Sequence, residues 1–219
     1  MNTPFSLKNY DLLIFDWDGT LIDSIDWIVH CLQQAAIDCG LPPSEQQAAK
    51  NVIGLSIRMA MLGLFPNVDE ATLTALITHY SQTNIARELT REHLFTGVYE
   101  LLAQLKAQGY VLAVATGKTR NGLNQVMHTT QTEDLFVVTR CADETASKPN
   151  PKMLYEILQC TGVAKELALF IGDSVHDMEM ANNAGIASVA VSCGANSVQE
   201  LQAFQPLLCL QQVTDLKNF

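Results

Sequence analysis

The chain has 219 residues, 48% of them hydrophobic and 16% charged, with a formal net charge of −10. This composition suits a folded globule, either one good-sized domain or a core with a smaller insert, and excludes a disordered chain. The acidic balance argues against nucleic acid or an anionic membrane surface as a partner, but not against a phosphate-bearing ligand held beside a cation.

Six cysteines, Cys31, Cys39, Cys141, Cys160, Cys193 and Cys209, form no C-x-x-C pair. Buried free thiols are expected, not zinc or a disulfide framework. The stretch MNTPFSLKNYD has no basic start followed by an apolar run, so no signal peptide is expected, and no run approaches membrane-spanning length. The expectation is a cytoplasmic protein with no membrane partner.

The first predicted element is a strand, Leu12 to Phe15, apolar at every position as in a parallel sheet buried on both faces. From about Ile25 to Glu92 the patterning is helical. Ile25, Ile28, Val29, Leu32, Ala35 and Ala36 recur at helical spacing up to Gly40 and Pro42-Pro43. Ser44 is the expected N-cap of a following helix, Ile57 to Phe65 form a short one, and Asp69 caps a long one. From Gly97 helices and strands alternate. Helices are expected at Val98 to Gln108, Asn121 to Thr130, Pro151 to Thr161, His176 to Asn183 and Ser197 to Ala203. Strands are expected at Tyr110 to Ala115, Leu135 to Thr139, Leu167 to Ile171, Ile186 to Val191 and Leu207 to Leu210, with a helical tail from Val213. This alternation implies an α/β fold, a parallel sheet with helices on both faces.

Four stretches carry candidate chemistry. Asp16 and Asp18 follow the first strand, and spacing by two on extended backbone lets them converge while Trp17 points elsewhere. An Asp-Gly turn accounts for Asp18-Gly19 but not for Asp16 against a core strand. Two such carboxylates need a proton or a cation between them. Thr116-Gly117-Lys118 ends the second core strand, where Thr116 alone reads as a helix N-cap. Lys148 precedes a proline-favoured helix start and alone reads as a solvated charge. Asp173 follows a third apolar strand, with Asp177 one helical turn later; alone, Asp173 or Ser174 reads as an N-cap. His176, between the two aspartates, is assigned to the helix surface with no ligand role.

Together and in order, these stretches resemble the four motifs of the haloacid dehalogenase-like phosphohydrolases. Asp16-x-Asp18-Gly19-Thr20 resembles motif I, and Leu21-Ile22-Asp23-Ser24 resembles the phosphoglycolate phosphatase branch. Thr116-Gly117-Lys118, Lys148-Pro149 and Gly172-Asp173-x-x-x-Asp177 resemble motifs II, III and IV. Trp17 is bulkier than the usual aliphatic residue, and Asn150 replaces a common histidine. The resemblance implies a Rossmann-like core at 1–21 and 93–219 and an all-helical cap at 22–92, inserted after strand one.

The implied chemistry is a Mg²⁺-dependent phosphatase acting on a small phosphorylated metabolite, phosphoglycolate by default, through a covalent aspartyl-phosphate. The resemblance implies that Asp16 is the nucleophile, Asp18 the acid/base and Lys148 the charge-pairing cation. Thr116, Gly117 and Lys118 would bind the phosphate. Mg²⁺ would be held by Asp16, Asp173 and the backbone carbonyl of Asp18, with Asp177 supporting Lys148 or a metal-bound water. Arg58, in Gly54-Leu55-Ser56-Ile57-Arg58, is the candidate cap contact to substrate, or else a surface charge. A sugar phosphomutase of the same fold and a non-catalytic binding module are the competing readings.

Overall fold

The computed structural model describes residues 5–219. Residues 1–4, on which part of the amino-terminal reading and the first positions of the expected core fall, lie outside the described residues. Six strands form one sheet: β1 (Leu12–Phe15), β2 (Val111–Thr116), β3 (Val138–Cys141), β4 (Ala168–Gly172), β5 (Ala187–Val191) and β6 (Leu208–Leu210). Their order is β3-β2-β1-β4-β5-β6, and every pairing is parallel. β1 therefore lies inside the sheet, with Leu12 in register with Val111 on one side and Ala168 on the other.

Four helices separate β1 from β2 in the chain: α1 (Ile25–Asp38), α2 (Gln46–Lys50), α3 (Ile57–Leu64) and α4 (Glu70–Ile85). Gly40, at φ +72°, lets the chain leave α1. Ser56 caps α3, and Asp69 caps α4 by accepting from the Thr72 amide at 2.8 Å. These helices bury their apolar stripes, including Ile28, Leu32, Met61, Leu73 and Leu76, against one another in a cluster that also takes in Ala195.

The remaining helices cover the sheet: α5 (Val98–Ala107), α6 (Arg120–Thr130), α7 (Lys152–Thr161), α8 (Val175–Ala184) and α9 (Val198–Gln202). Strand alternation divides the work. Leu13, Phe15 and Trp17 belong to the core formed with α5 and α6, while Leu12 and Ile14 belong to the core formed with α7 and α8. Each of the four β1 side chains is fully buried, which contributes about 1.5–3 kcal/mol apiece. Trp17 packs edge-on against Phe136 and lies wholly inside its core.

Several local expectations are corrected. The N-cap of α2 is Glu45; the Ser44 carbonyl instead accepts from the Gln33 side chain at 2.9 Å. Thr119, not Thr116, caps α6. β3 begins at Val138 because Glu133–Leu135 form a 3-10 turn, Phe136 packs on Trp17 and Val137 is 70% exposed. The helical tail expected from Val213 is present, as a 3-10 helix over Val213–Asn218. All six cysteines are free, but only Cys31 and Cys141 are buried and Cys160 is exposed. Among the described residues no helix is long and apolar enough to cross a membrane.

Candidate active site

The site forms where adjacent strands end. β1, β2 and β4 are neighbours and run parallel, so Asp16, Thr116 and Asp173 are delivered to one edge of the sheet. This is the crevice at the carboxyl ends of strands, at the point where strand order reverses, that open α/β sheets use for ligands. The Asp16 amide donates to the Ile171 carbonyl at 2.9 Å, which extends the β1–β4 pairing by one residue and fixes the first aspartate.

Lys148 comes from the loop before α7 and is buried, with 1% exposure. Its Nζ donates to Asp16 Oδ1 at 2.5 Å and to Asp177 Oδ1 at 2.6 Å. Burial works against its charge, but the two carboxylates outweigh burial and hold the ammonium above its ordinary value. Asp177 Oδ2 accepts from the Ser174 amide at 3.0 Å, the Ser174 hydroxyl at 2.7 Å and the Asp173 amide at 3.2 Å. Ser174 in turn caps α8. Capping and positioning Lys148 thus fall to one set of bonds, and the two readings weighed for this stretch coexist.

Asp173 accepts from the Thr20 hydroxyl at 2.7 Å and from the Ala195 amide at 2.8 Å. Burial, then the Asp177 charge, push its carboxyl up to about 7 against those bonds. Burial also drives Asp16 well above the carboxylate range; Lys148 opposes the shift, and Asp177 and Asp173 add to it. Oxygen atoms of Asp16, Asp173 and Asp177 lie within 4.8 Å of one another. The packing leaves no room for side chains around them: a Cβ on Gly194 would lie 2.0 Å from Asp173 Oδ2, and one on Gly172 would lie 2.5 Å from the Asp177 carboxyl carbon.

Asp18 accepts from the Ser24 hydroxyl at 2.7 Å, and Lys118 Nζ lies 3.1 Å from both of its oxygens. The ammonium read as a phosphate contact is thus engaged by Asp18. The Thr116 hydroxyl, buried, accepts from the Lys118 amide at 3.2 Å. Asp16, Asp18, Thr116, Gly117 and Lys118 all line one cavity of about 500 Å³ that runs between the strand ends and the helices α1, α3 and α4.

The stretch 51–56 of the helical unit sits against the core. The Ser56 amide donates to Ser147 Oγ at 2.8 Å, and the His176 Nε2–H donates to the Asn51 carbonyl at 2.9 Å. Gly117 lies so close to the Gly54 and Leu55 carbonyls that a Cβ would stand 2.5 Å from each oxygen. Arg58 does not reach the cavity. Its guanidinium pairs with Glu70 at 2.7 and 2.8 Å on the outer face, while its neighbours Leu55 and Ile57 line the cavity.

Sequence reasoning gave no role to Thr20, Ser24 or the Ala195 amide. The hydroxyls of Thr20 and Ser24 stand inside the quoted stretch after Asp18 and could have been found there. The Ala195 amide carries no side-chain signal.

Carboxylates and a buried lysine gathered at the ends of parallel strands define an α/β protein whose chemistry sits at a topological switch point. Residues 13–191 match the model of the haloacid dehalogenase-like hydrolases, and the chain belongs to that family. It is 31% identical over 209 residues to the "Probable phosphatase IndB" of Dickeya dadantii (strain 3937), covering 94% of this chain and 91% of that protein. It is also 31% identical over 207 residues to the "Pyrophosphatase PpaX" of Bacillus cereus (strain AH820), covering 93% of each. A solved structure from Bacteroides fragilis named as a haloacid dehalogenase-like hydrolase superposes with a TM-score of 0.86 at 25% identity, covering 94% of this chain and 99% of that one.

Proposed function

We propose that the protein is a Mg²⁺-dependent phosphatase of small phosphorylated metabolites, working through a phosphoryl group carried on Asp16, with residues 22–92 acting as a cap. The observation that supports this best is the buried Lys148 clamped between Asp16 and Asp177, beside Asp18 and Thr116 at the cavity floor. The carboxylate of Asp16 attacks phosphorus opposite the leaving oxygen, and the phosphorus–oxygen bond to that group breaks. Asp18 gives a proton to the departing alkoxide. It then takes one from the water that attacks the acyl phosphate, so phosphate leaves and Asp16 is regenerated. Thr116 and the Gly117 backbone hold the phosphate oxygens, Lys118 is within the same wall, and Lys148 favours the ionised form of Asp16 against burial and aims its carboxyl.

The residues fit a hard divalent cation. Asp16, Asp173 and Asp177 place hard oxygen donors within 4.8 Å of one another, against the Lys148 ammonium. The family resemblance implies Asp16 and Asp173 as the carboxylate ligands, whose oxygens lie within 4.8 Å of one another, together with the Asp18 carbonyl, while Asp177 holds Lys148. When bound, Mg²⁺ would offset the repulsion between Asp16 and the incoming phosphate. The test is phosphate release from p-nitrophenyl phosphate with Mg²⁺ and with chelator. Release that needs Mg²⁺ supports the proposal, and none in either condition from folded protein overturns it.

Two further outcomes are expected. Because the folded Asp173 carboxyl is raised from 3.8 to about 7, the folded state binds its proton more tightly than the unfolded chain. In metal-free buffer this contribution is complete below about pH 4 and is lost as pH rises through about 7. Mg²⁺ favours the ionised form. Its gain in melting temperature should therefore be larger at pH 8 than at pH 5, about 5–10 °C at a hundredfold excess over Kd. Thermal scans at both pH values check the sign. Separately, Gly117→Ala puts a methyl group against two cap carbonyls and should raise KM roughly tenfold or more by holding the cap off the core. Steady-state kinetics with an unchanged KM would refute that role of the contact.

A further inference from the structure

We infer that the group esterified to the phosphate is uncharged and partly apolar, and larger than a two-carbon acid. This rests on the phosphatase reading of the site and concerns the far end of its substrate. The cavity holds about 500 Å³, within the ~300–1,000 Å³ range of sites that enclose ligands of many heavy atoms. A phosphate with two further carbons leaves most of it empty.

The chemistry of the wall is one-sided. Above Asp16 and Asp18 it is built from Ile28, Leu32, Ile53, Leu55, Ile57 and Tyr80. Toward the rim it offers uncharged hydrogen-bonding groups, among them Ser81, Gln82, Asn84 and Gln125. Among the described residues, its charged lining is Asp16, Asp18 and Lys118, and Lys118 already lies on Asp18. A second anionic group on the substrate would meet apolar side chains and two carboxylates, with no cation to pair it.

The four Lys and Arg residues of 22–92 are all engaged elsewhere. Lys50 lies 3.8 Å from Asp26, and Arg58 pairs with Glu70. Arg87 lies over the Trp27 ring and Arg91 over the Tyr99 ring. None of them lines the cavity. Phosphoglycolate, with its carboxylate, and pyrophosphate, with its second phosphate, both carry the group this wall does not receive. A relative at 31% identity is named a pyrophosphatase, so on this inference the two proteins differ in substrate.

The experiment compares kcat/KM of the Mg²⁺-loaded full chain for p-tolyl phosphate, 4-carboxyphenyl phosphate, phosphoglycolate and pyrophosphate. The first two differ chiefly by one charge. The expected order places p-tolyl phosphate first, by about tenfold or more over each anionic compound, the factor that 1.4 kcal/mol corresponds to. Two variants, Ile57→Lys in the wall and Thr78→Lys at the exposed rim, should each move the ratio toward the anionic esters. The rim variant covers the case in which the wall variant fails to fold. Preference of the unaltered protein for phosphoglycolate or pyrophosphate, or an unchanged ratio in folded variants, overturns this inference and leaves the phosphatase reading standing. No release from any of the four compounds overturns both.

Discussion

Asp16→Asn should lower Mg²⁺-dependent phosphate release by about 10⁴-fold or more, the scale on which covalent enzymes lose activity with their nucleophile. An amide at this position cannot form the acyl phosphate, and no other carboxylate is placed to replace it. Asp18 is held by Ser24 and Lys118, Asp177 by Lys148 and Ser174, and Asp173 by Thr20 and Ala195. The fold should survive. Lys148 keeps its 2.6 Å bond to Asp177, and the substitution removes a charge that burial already disfavours. Melting of the variant in metal-free buffer at neutral pH is therefore expected at or above the unaltered protein's temperature. A folded variant that retains even a hundredth of the activity would sink the covalent route.

Lys148→Met is expected to damage both fold and function. It leaves Asp16 and Asp177 facing one another in a buried space with no cation between them. Removing one partner from such a buried cluster costs about 3–5 kcal/mol, which in a chain of this size lowers the melting temperature by about 6–20 °C. Turnover should fall with it, because the cation that opposes burial and aims the Asp16 carboxyl is gone. The double variant Lys148→Met/Asp177→Asn separates the two effects. It removes the stranded charge, so part of the stability should return while activity stays lost. Denaturant titration and phosphate release, measured together, decide this. A single variant as stable as the unaltered protein would show that the cluster tolerates its own charge without Lys148.

Much of the architecture was legible because the relevant signals are local. The four apolar residues between Asp11 and Asp16 define β1 to the residue, and Asp69 three positions before Thr72 marks the start of α4. The helical patterning after β1 and the alternation after Gly97 give the layer order. The errors arose where apolar character and pairing separate. Val137 looks like strand and is 70% exposed, since pairing with β2 begins only at Val138.

The site was legible in its residue types but not in its partnerships. Lys118 lies on Asp18, a hundred positions away, and the orientation of its ammonium follows from how β1 and β2 end side by side. Arg58 was the natural cap candidate, because a cation near a phosphate site invites that role. Its pairing with Glu70 depends on how α3 meets α4, which spacing alone does not encode. The Ala195 amide on Asp173 is a main-chain contact, silent in any reading of side chains.

The seating of the helical unit on the core has an evolutionary consequence. Several of its contacts with the core use the unit's backbone: the Ser56 amide, the Asn51 carbonyl, the Gly54 and Leu55 carbonyls, and the Leu89 carbonyl that accepts from Thr129; the side chains of Ser24, on Asp18, and Arg91, over Tyr99, add to them. The main-chain part of this seating does not depend on which side chains line the cavity. Ile28, Leu32 and Ile57 line the cavity and make none of these main-chain contacts, so exchanging them to suit a different metabolite leaves that seating in place. Laboratory selection for a new substrate should collect its changes in the wall and leave the docking loop untouched, so that specificity drifts freely above a reaction centre that stays the same.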